Sequence, residues 1–539
     1  MFAYANQGKL AFAWDEFSHW MDSVKAMFTI DDFVTNPESN SAFRSYPPAM
    51  ALFQYFFQKV RVIIWPNLVF AEDKVYFAYQ VFAVSMLFPF LKQRDKCTVA
   101  KGVLSLVIII FMPLLFYGDF YYTVYIDPIV GMLAGCGFAA ILVTKDKNLL
   151  YRVYVSLICI MLVITKDIGL FFAGFISIAY MLDILIHCDY QQTQKKALIK
   201  KGMISVLPGV LALITKFSWS MEIKLSGTPV SFGGSVDLIG YVKMFFFRND
   251  LTYKQDVVEN FKNAFFIYTV PLDNLGIQFS YFNLLIVFIF LCVIIYKLER
   301  VESGINVKNI TLINILGMAI IQLILYVLAI GALYVSLFTE YEALNLASYQ
   351  RYINTGFMSV FIMIVLYFYD YCLNDIKREY LIYVVMTTLL LIMPVKNVFS
   401  FINNDYVIQA NNIRKEYNEL TNDILVNCEE KSRIYIISQE NSGFDYWVVR
   451  YSVRPHIIDN AFSWSLGDPF YEGDVWTRKL SLEEWRTELI ELGYDYVAIY
   501  KVNDYFLTEY SSLFVNPETI ENNSLFKVNT DTGMLERVD

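Results

Sequence analysis

Ten apolar blocks, at about 75–91, 102–117, 126–144, 149–165, 168–187, 202–219, 281–296, 310–338, 353–372 and 381–398, limit what this chain can fold into. Each is close to the roughly 20 apolar residues that a helix needs to cross a bilayer. Only 18% of the residues are charged, against about a quarter in soluble domains. The expected class is a polytopic α-helical membrane protein of about ten spans.

The loops between the blocks alternate in charge. "KQRDKCTVAK", "TKDKNLLYR", "HCDYQQTQKKALIKK", "YKLERVESGINVKN" and "NDIKREY" are rich in Lys and Arg, whereas "GDFYYTVY" and "FTEYEALNLASYQR" carry almost none. By the positive-inside rule the first set is cytoplasmic. The segment before residue 75, the entry at Asp127, the corner at Lys166 and Asp167, the loop 220–280, the Arg351 loop and the tail after 398 are then all external. "AMALFQYFFQKVRVIIWPNLVF" is apolar, but Lys59 and Arg61 interrupt it and Pro66 ends it. It reads as helices lying in the outer interface, because a further span there would invert every later loop.

Three regions follow. Residues 1–74 form a first external loop with interfacial helices and an acidic motif. Residues 75–400 form the membrane domain, with external loops 118–125, 220–280 and 339–352. Residues 401–539 form a small extracytoplasmic α/β domain: "KSRIYIISQ" and "YDYVAIYKV" read as buried strands, and "SLEEWRTELIELG" as an amphipathic helix with a Ser cap and a Gly stop. No internal repeat is evident, which weighs against transporters built from duplicated halves.

Composition excludes several classes. The net charge is -9 and no basic tract with interleaved aromatics occurs, so no nucleic-acid partner is expected. Seven cysteines are scattered without metal-like spacing, and the three histidines, His19, His187 and His456, cannot make a His-rich metal site. Cys428 is alone in the tail, which leaves that domain no internal disulfide.

The polar residues with chemistry to offer gather in the external segments. In "AWDEFSHW", Asp15 and Glu16 are adjacent and His19 follows at i+4 and i+3, so a helix can place all three on one face. The plain alternative is a solvated helix start with acids at its positive end. Trp14 and Trp20 flank the group and suit either a sugar-binding cleft or an interfacial belt. "RSYPPAMALF" fixes an extended turn at Tyr46, Pro47 and Pro48, read as structural. Asp127 stands where an external loop enters a span. It is either a functional carboxylate at the edge of hydrocarbon or an N-cap ahead of Pro128, and the two are compatible. Lys166 and Asp167 form a corner that suits a local ion pair, a cap or a ligand contact. Arg351, between Tyr349 and Tyr352, is a lone external cation and calls for an anionic partner, either a protein acid or a phosphate.

An acidic pair in the first external loop, a YPP turn, a second acid at an outer span end, an outer Lys-Asp corner, a late outer Arg and a soluble external tail resemble, in their order, the GT-C superfamily. These are membrane glycosyltransferases that use polyprenyl-phosphate sugars. "WDEFSHW", the YPP turn and "SYQRY" look most like bacterial members. The resemblance covers nearly the whole chain and implies catalysis by Asp15 or Glu16, with Asp15 favoured. It implies donor-phosphate contacts from Arg351 and, second, Lys166. Asp127 matches a second acid that in some members helps hold a divalent metal (Mg or Mn) and in others contacts substrate. Trp14, His19, Trp20, Tyr122 and Tyr349 are the candidate sugar or acceptor contacts. That family has a span before its first external loop. "MFAYANQGKLAFAW" is too short and polar to supply one, so a missing first span is expected.

The implied function is inverting glycosyl transfer from a polyprenyl-phosphate sugar to a cell-envelope glycan, lipid or protein, at the outer face of the cell membrane. Nucleotide sugars are not expected there, and no nucleotide-binding Gly-rich turn is present. A polymerase or ligase of lipid-linked glycans shares this chemistry. A transporter or flippase would need ionisable groups at mid-membrane depth. A non-catalytic glycan-binding protein is the remaining alternative.

Overall fold

The computed structural model describes residues 2–90, 99–144, 146–186, 195–230, 234, 236–247, 252–272, 277–303, 307–373, 379–392 and 394–538. Cys97, Cys188 and His187 lie outside them. The chain divides into two compact units: residues 45–50 with 79–401, and residues 1–44, 51–78 and 402–539 together.

A helix runs through each of the ten apolar blocks. Gly169–Ile186, Leu198–Leu225, Tyr281–Glu299, Leu312–Ser336 and Tyr349–Cys372 are long and apolar enough to cross a membrane, whereas Gly102–Phe111, Asp127–Val143 and Leu149–Thr165 are shorter. Prolines set two breaks, since Pro has no amide to continue a helix. Pro113 opens a 3₁₀ turn, Pro113–Leu115, after Val99–Phe111. Pro394 separates Glu379–Ile392 from Val395–Ile402, so block 381–398 is two helices rather than one. The loop 220–280 is also structured, with helices Leu238–Phe247 and Tyr253–Phe266 and the antiparallel pair Thr269–Leu272 and Ile277–Ser280. Within 339–352, Thr339 caps the short helix Glu340–Leu344 reciprocally with Glu342. The next helix already starts at Tyr349, which places Arg351 in a first helical turn rather than in a loop.

Close packing of Asp127–Val143 on Tyr349–Leu373 organises this unit. Gly131 and Gly135 face the partner helix. A Cβ at Gly131 would lie 2.9 Å from the Thr355 carbonyl, and one at Gly135 would lie 2.6 Å from Ile362 Cβ and 2.7 Å from the Ser359 carbonyl. Small residues four apart let two membrane helices approach backbone to backbone. The partners rise in number together, so the two helices run parallel and their N-termini share one end.

In the other unit, strands Ile434–Ser438 and Tyr496–Lys501 pair in parallel, and Ser524–Val528 and Leu535–Arg537 continue the sheet antiparallel. Tyr435, Ile437, Val497, Ile499 and Phe526 bury against Trp485 and Leu489 of the helix Leu482–Glu491. Ser481 and Glu484 form its capping box, and Gly493, at φ +67°, follows its end. Sequence reading set segment 1–74 apart from the tail, but most of it is folded into this unit. Asp22, fully buried, is held by Arg454 at 2.6 Å and Arg450 at 3.5 Å and accepts a hydrogen bond from Ser41 at 2.7 Å. Lys25 Nζ donates to the Tyr451 carbonyl at 2.8 Å. The helix Ala49–Ile64 turns polar groups inward, with Gln58 donating to the Ala71 carbonyl at 2.7 Å. Phe56, Ile63 and Ile64 are exposed, the outward apolar face expected of a helix bedded in an interface.

Candidate active site

Asp127, Lys166 and Arg351 meet at one end of the helical unit. Asp127 is the first residue of its helix, with Ile126 at the cap position, and its carboxylate is turned to two side-chain cations instead of serving as the cap. Its carboxylate takes Lys166 Nζ at 2.6 Å on Oδ1 and faces Arg351 Nε at 3.5 Å on Oδ2. Lys166 directly follows the helix Leu149–Thr165, so three separate helix ends supply the three charges. The Asp127 side chain is 4% exposed, Lys166 15% and Arg351 20%. The carboxylate is thus buried behind two partly open cations.

Tyrosines frame the cations. The Arg351 guanidinium lies 4.8 Å from the Tyr125 ring centre and 5.2 Å from that of Tyr352, and Lys166 Nζ lies 5.0 Å over Tyr352. Tyr117 donates to the Arg351 carbonyl at 2.7 Å and fixes that turn. Burial works against the charge on Lys166, but Asp127, followed by the Tyr46 and Tyr352 hydroxyls, outweighs it and raises the pKa. Lys166 therefore stays charged. Burial pushes the phenol of Tyr46 up to about 12, within electrostatic reach of Lys166, Tyr352 and Asp127. Its turn is tied by Trp219 Nε1, which donates to the Ser45 carbonyl at 3.3 Å. The YPP turn thus brings a tyrosine to the charged cluster, a role the sequence left as purely structural. Asp167 does not pair with Lys166; it takes Lys216 from the helix Lys195–Leu225.

The acidic motif belongs to the other unit. Asp15 is half-buried and precedes a π-helical turn, Glu16–Trp20. Glu16 turns inward. It accepts hydrogen bonds from the amides of Phe12 at 3.0 Å and Ala13 at 3.1 Å, and from the Tyr76 hydroxyl at 2.8 Å. Burial raises its pKa to about 7, with Lys9 acting against the rise. A carboxyl committed to three donors serves the local fold, and of the adjacent pair Asp15 is the one not enclosed.

The aromatic candidates divide between framework and rim. The His19 ring centre lies 3.9 Å from that of Trp20 and 5.2 Å from that of Phe43, inside the first segment's own core. Trp14 is half-buried against Phe444 and Trp476 of the tail. Tyr122 is buried, donates to the Asn397 carbonyl and packs on Phe401. Tyr349 is buried against Phe261 and Tyr281. Both hold helices together: the Tyr122 ring fills apolar space while its hydroxyl reaches a carbonyl, and Tyr349 contributes its ring. For a divalent ion the fit is poor. Asp127 is turned to two cations, and among the described residues no three His, Cys, Asp or Glu side chains gather as a metal site.

No protein-family model and no curated protein matches this chain. Among solved structures, ArnT from Cupriavidus metallidurans in the apo state is similar over 94% of this chain and 91% of that chain, with 10% identity and a TM-score of 0.42.

Proposed function

We propose that this protein is a membrane glycosyltransferase that transfers a sugar, with inversion, from a polyprenyl phosphate to a hydroxyl of a cell-envelope glycan, lipid or protein at the outer face. The observation that carries this reading is the cluster in which one buried carboxylate, Asp127, orients two partly open cations, Lys166 and Arg351, at converging helix ends. A planar guanidinium held partly open in this way suits a phosphate, which it grips with two parallel bonds.

In the reaction, the bond between the anomeric carbon and the phosphate oxygen breaks as the acceptor oxygen attacks. The departing phosphate gains negative charge, which Arg351 and Lys166 stabilise in place without reorganising. The acceptor hydroxyl loses its proton to Asp15, the acid that the GT-C resemblance favours, while Glu16 is tied to its own backbone. No step is assigned to a metal ion.

The deciding experiment supplies defined polyprenyl-phosphate sugars to the purified full chain in lipid and measures release of the lipid phosphate. Asp15→Asn is expected to lower turnover by about 10²- to 10⁴-fold while the protein inserts normally. Full activity in that variant would sink the assignment.

A further inference from the structure

The tail contributes an aromatic shelf beside the acidic motif. Phe462 and Trp476 lie nearly parallel, with ring centres 5.5 Å apart at 11°. Trp464 underlies both at 5.7 Å, tilted 25° to Trp476 and 33° to Phe462. Trp14, the residue before Asp15, extends the row, 6.4 Å from Trp476. Two hydrogen bonds fix the planes: Trp464 Nε1 donates to the Asn441 carbonyl at 2.8 Å, and Trp476 Nε1 to the Tyr471 hydroxyl at 2.8 Å. Asp474 holds the intervening loop by accepting from the Trp476 amide at 2.7 Å. Gly443 is required beneath, because a Cβ there would come 2.8 Å from the Trp464 ring.

Covering the buried Trp464 accounts for only part of this arrangement. Neither Phe462 nor Trp476 is fully buried. Phe462 is 53% exposed, and it is held at φ +64°, a left-handed conformation rare for a bulky residue and costing about 1–3 kcal/mol. A ring that only covered Trp464 would not need a strained backbone that leaves more than half of it facing solvent, parallel to a half-buried indole. Parallel, pre-oriented rings fit a flat ligand. An acyl chain would be served equally by any greasy patch and would not need the planes fixed.

We infer that this shelf binds the pyranose rings of a glycan, stacking their apolar faces on Phe462 and Trp476 and presenting the acceptor chain along Trp14 toward Asp15. The binding surface stands on its own, and only its role in delivering the acceptor hydroxyl depends on the glycosyl-transfer reading.

The test measures binding of cellotetraose and chitotetraose, whose rings have flat apolar faces, to the full chain in lipid nanodiscs by titration calorimetry. At least one should bind, and Trp476→Ala should weaken it about tenfold. Phe462→Gly is the sharper variant: it removes the ring and relieves the positive φ, so folding is retained or improved while binding falls by a similar factor. Oligosaccharide binding is read on the wild-type chain with no donor present, so a failed turnover test of Asp15→Asn leaves it standing, which separates loss of the shelf from loss of the catalytic assignment. Binding of neither sugar overturns the proposal, as does binding that Phe462→Gly leaves intact. Saturable binding of decanoate that Phe462→Gly abolishes, with no sugar bound, would reassign the shelf to an apolar chain.

Discussion

Arg351 and Lys166 share one carboxylate yet should behave differently when removed. Arg351 lies between two tyrosine rings and faces Asp127 at 3.5 Å. Arg351→Ala leaves Asp127 with its closer partner, so the fold should survive while donor KM rises about 10- to 100-fold, the worth of a charged hydrogen bond. Arg351→Lys should restore little, since an ammonium neither stacks nor forks. Initial rates over a range of donor concentrations check both. Lys166→Met instead strips a buried carboxylate of its 2.6 Å partner, a loss of about 3–5 kcal/mol. Glu16 gives a prediction in pH. Its carboxyl rises from the ordinary 4.5 to about 7, chiefly through burial. Between these values the unfolded chain has already released the proton that the folded chain keeps, so stability should fall as pH rises from about 4.5 to about 7. Glu16→Gln should flatten that slope in thermal melts across the same range; an unchanged slope would show that another group sets it.

The GxxxG spacing of Gly131 and Gly135 sets how closely the Asp127 helix approaches the Tyr349 helix. Gly135→Leu would drive a side chain into the Ser359 carbonyl and Ile362. It should cost at least about 1–3 kcal/mol and, by prising the helices apart, widen the gap between Asp127 and Arg351. Donor affinity should fall even though position 135 is two turns from the charges. A donor KM unchanged in folded Gly135→Leu protein would show that the triad does not depend on this contact. The helices themselves were legible in the sequence, because an apolar block of span length needs no distant partner to be read. Their breaks at Pro113 and Pro394 were equally local but went unread in blocks defined only by hydropathy.

For the whole molecule, Asp22 links the first segment to the tail. Arg454, 432 residues away, meets it at 2.6 Å. Breaking a buried pair by deleting one member typically costs about 3–5 kcal/mol. Asp22→Ala should therefore raise hydrogen exchange across residues 1–44 and in the tail around 450–458, while the helices within 79–401 keep their protection. Uniform exchange across both units would argue against this division.

The sequence alone determined the helical membrane class, the positions of the apolar helices and an α/β tail, since hydropathy, loop charge and capping signals are local properties. It also singled out Asp127, through the high cost of placing charge at a span end, Arg351, as a lone external cation, and Lys166, at an outer corner. Only the tertiary structure decided that these three meet and that Tyr46 joins them. It alone showed that Glu16 is internal and Asp22 a clamp, and that Phe462 and Trp476 stand beside Trp14. Each of these outcomes depends on which distant residue neutralises a charge or covers a ring, and that choice is made by packing.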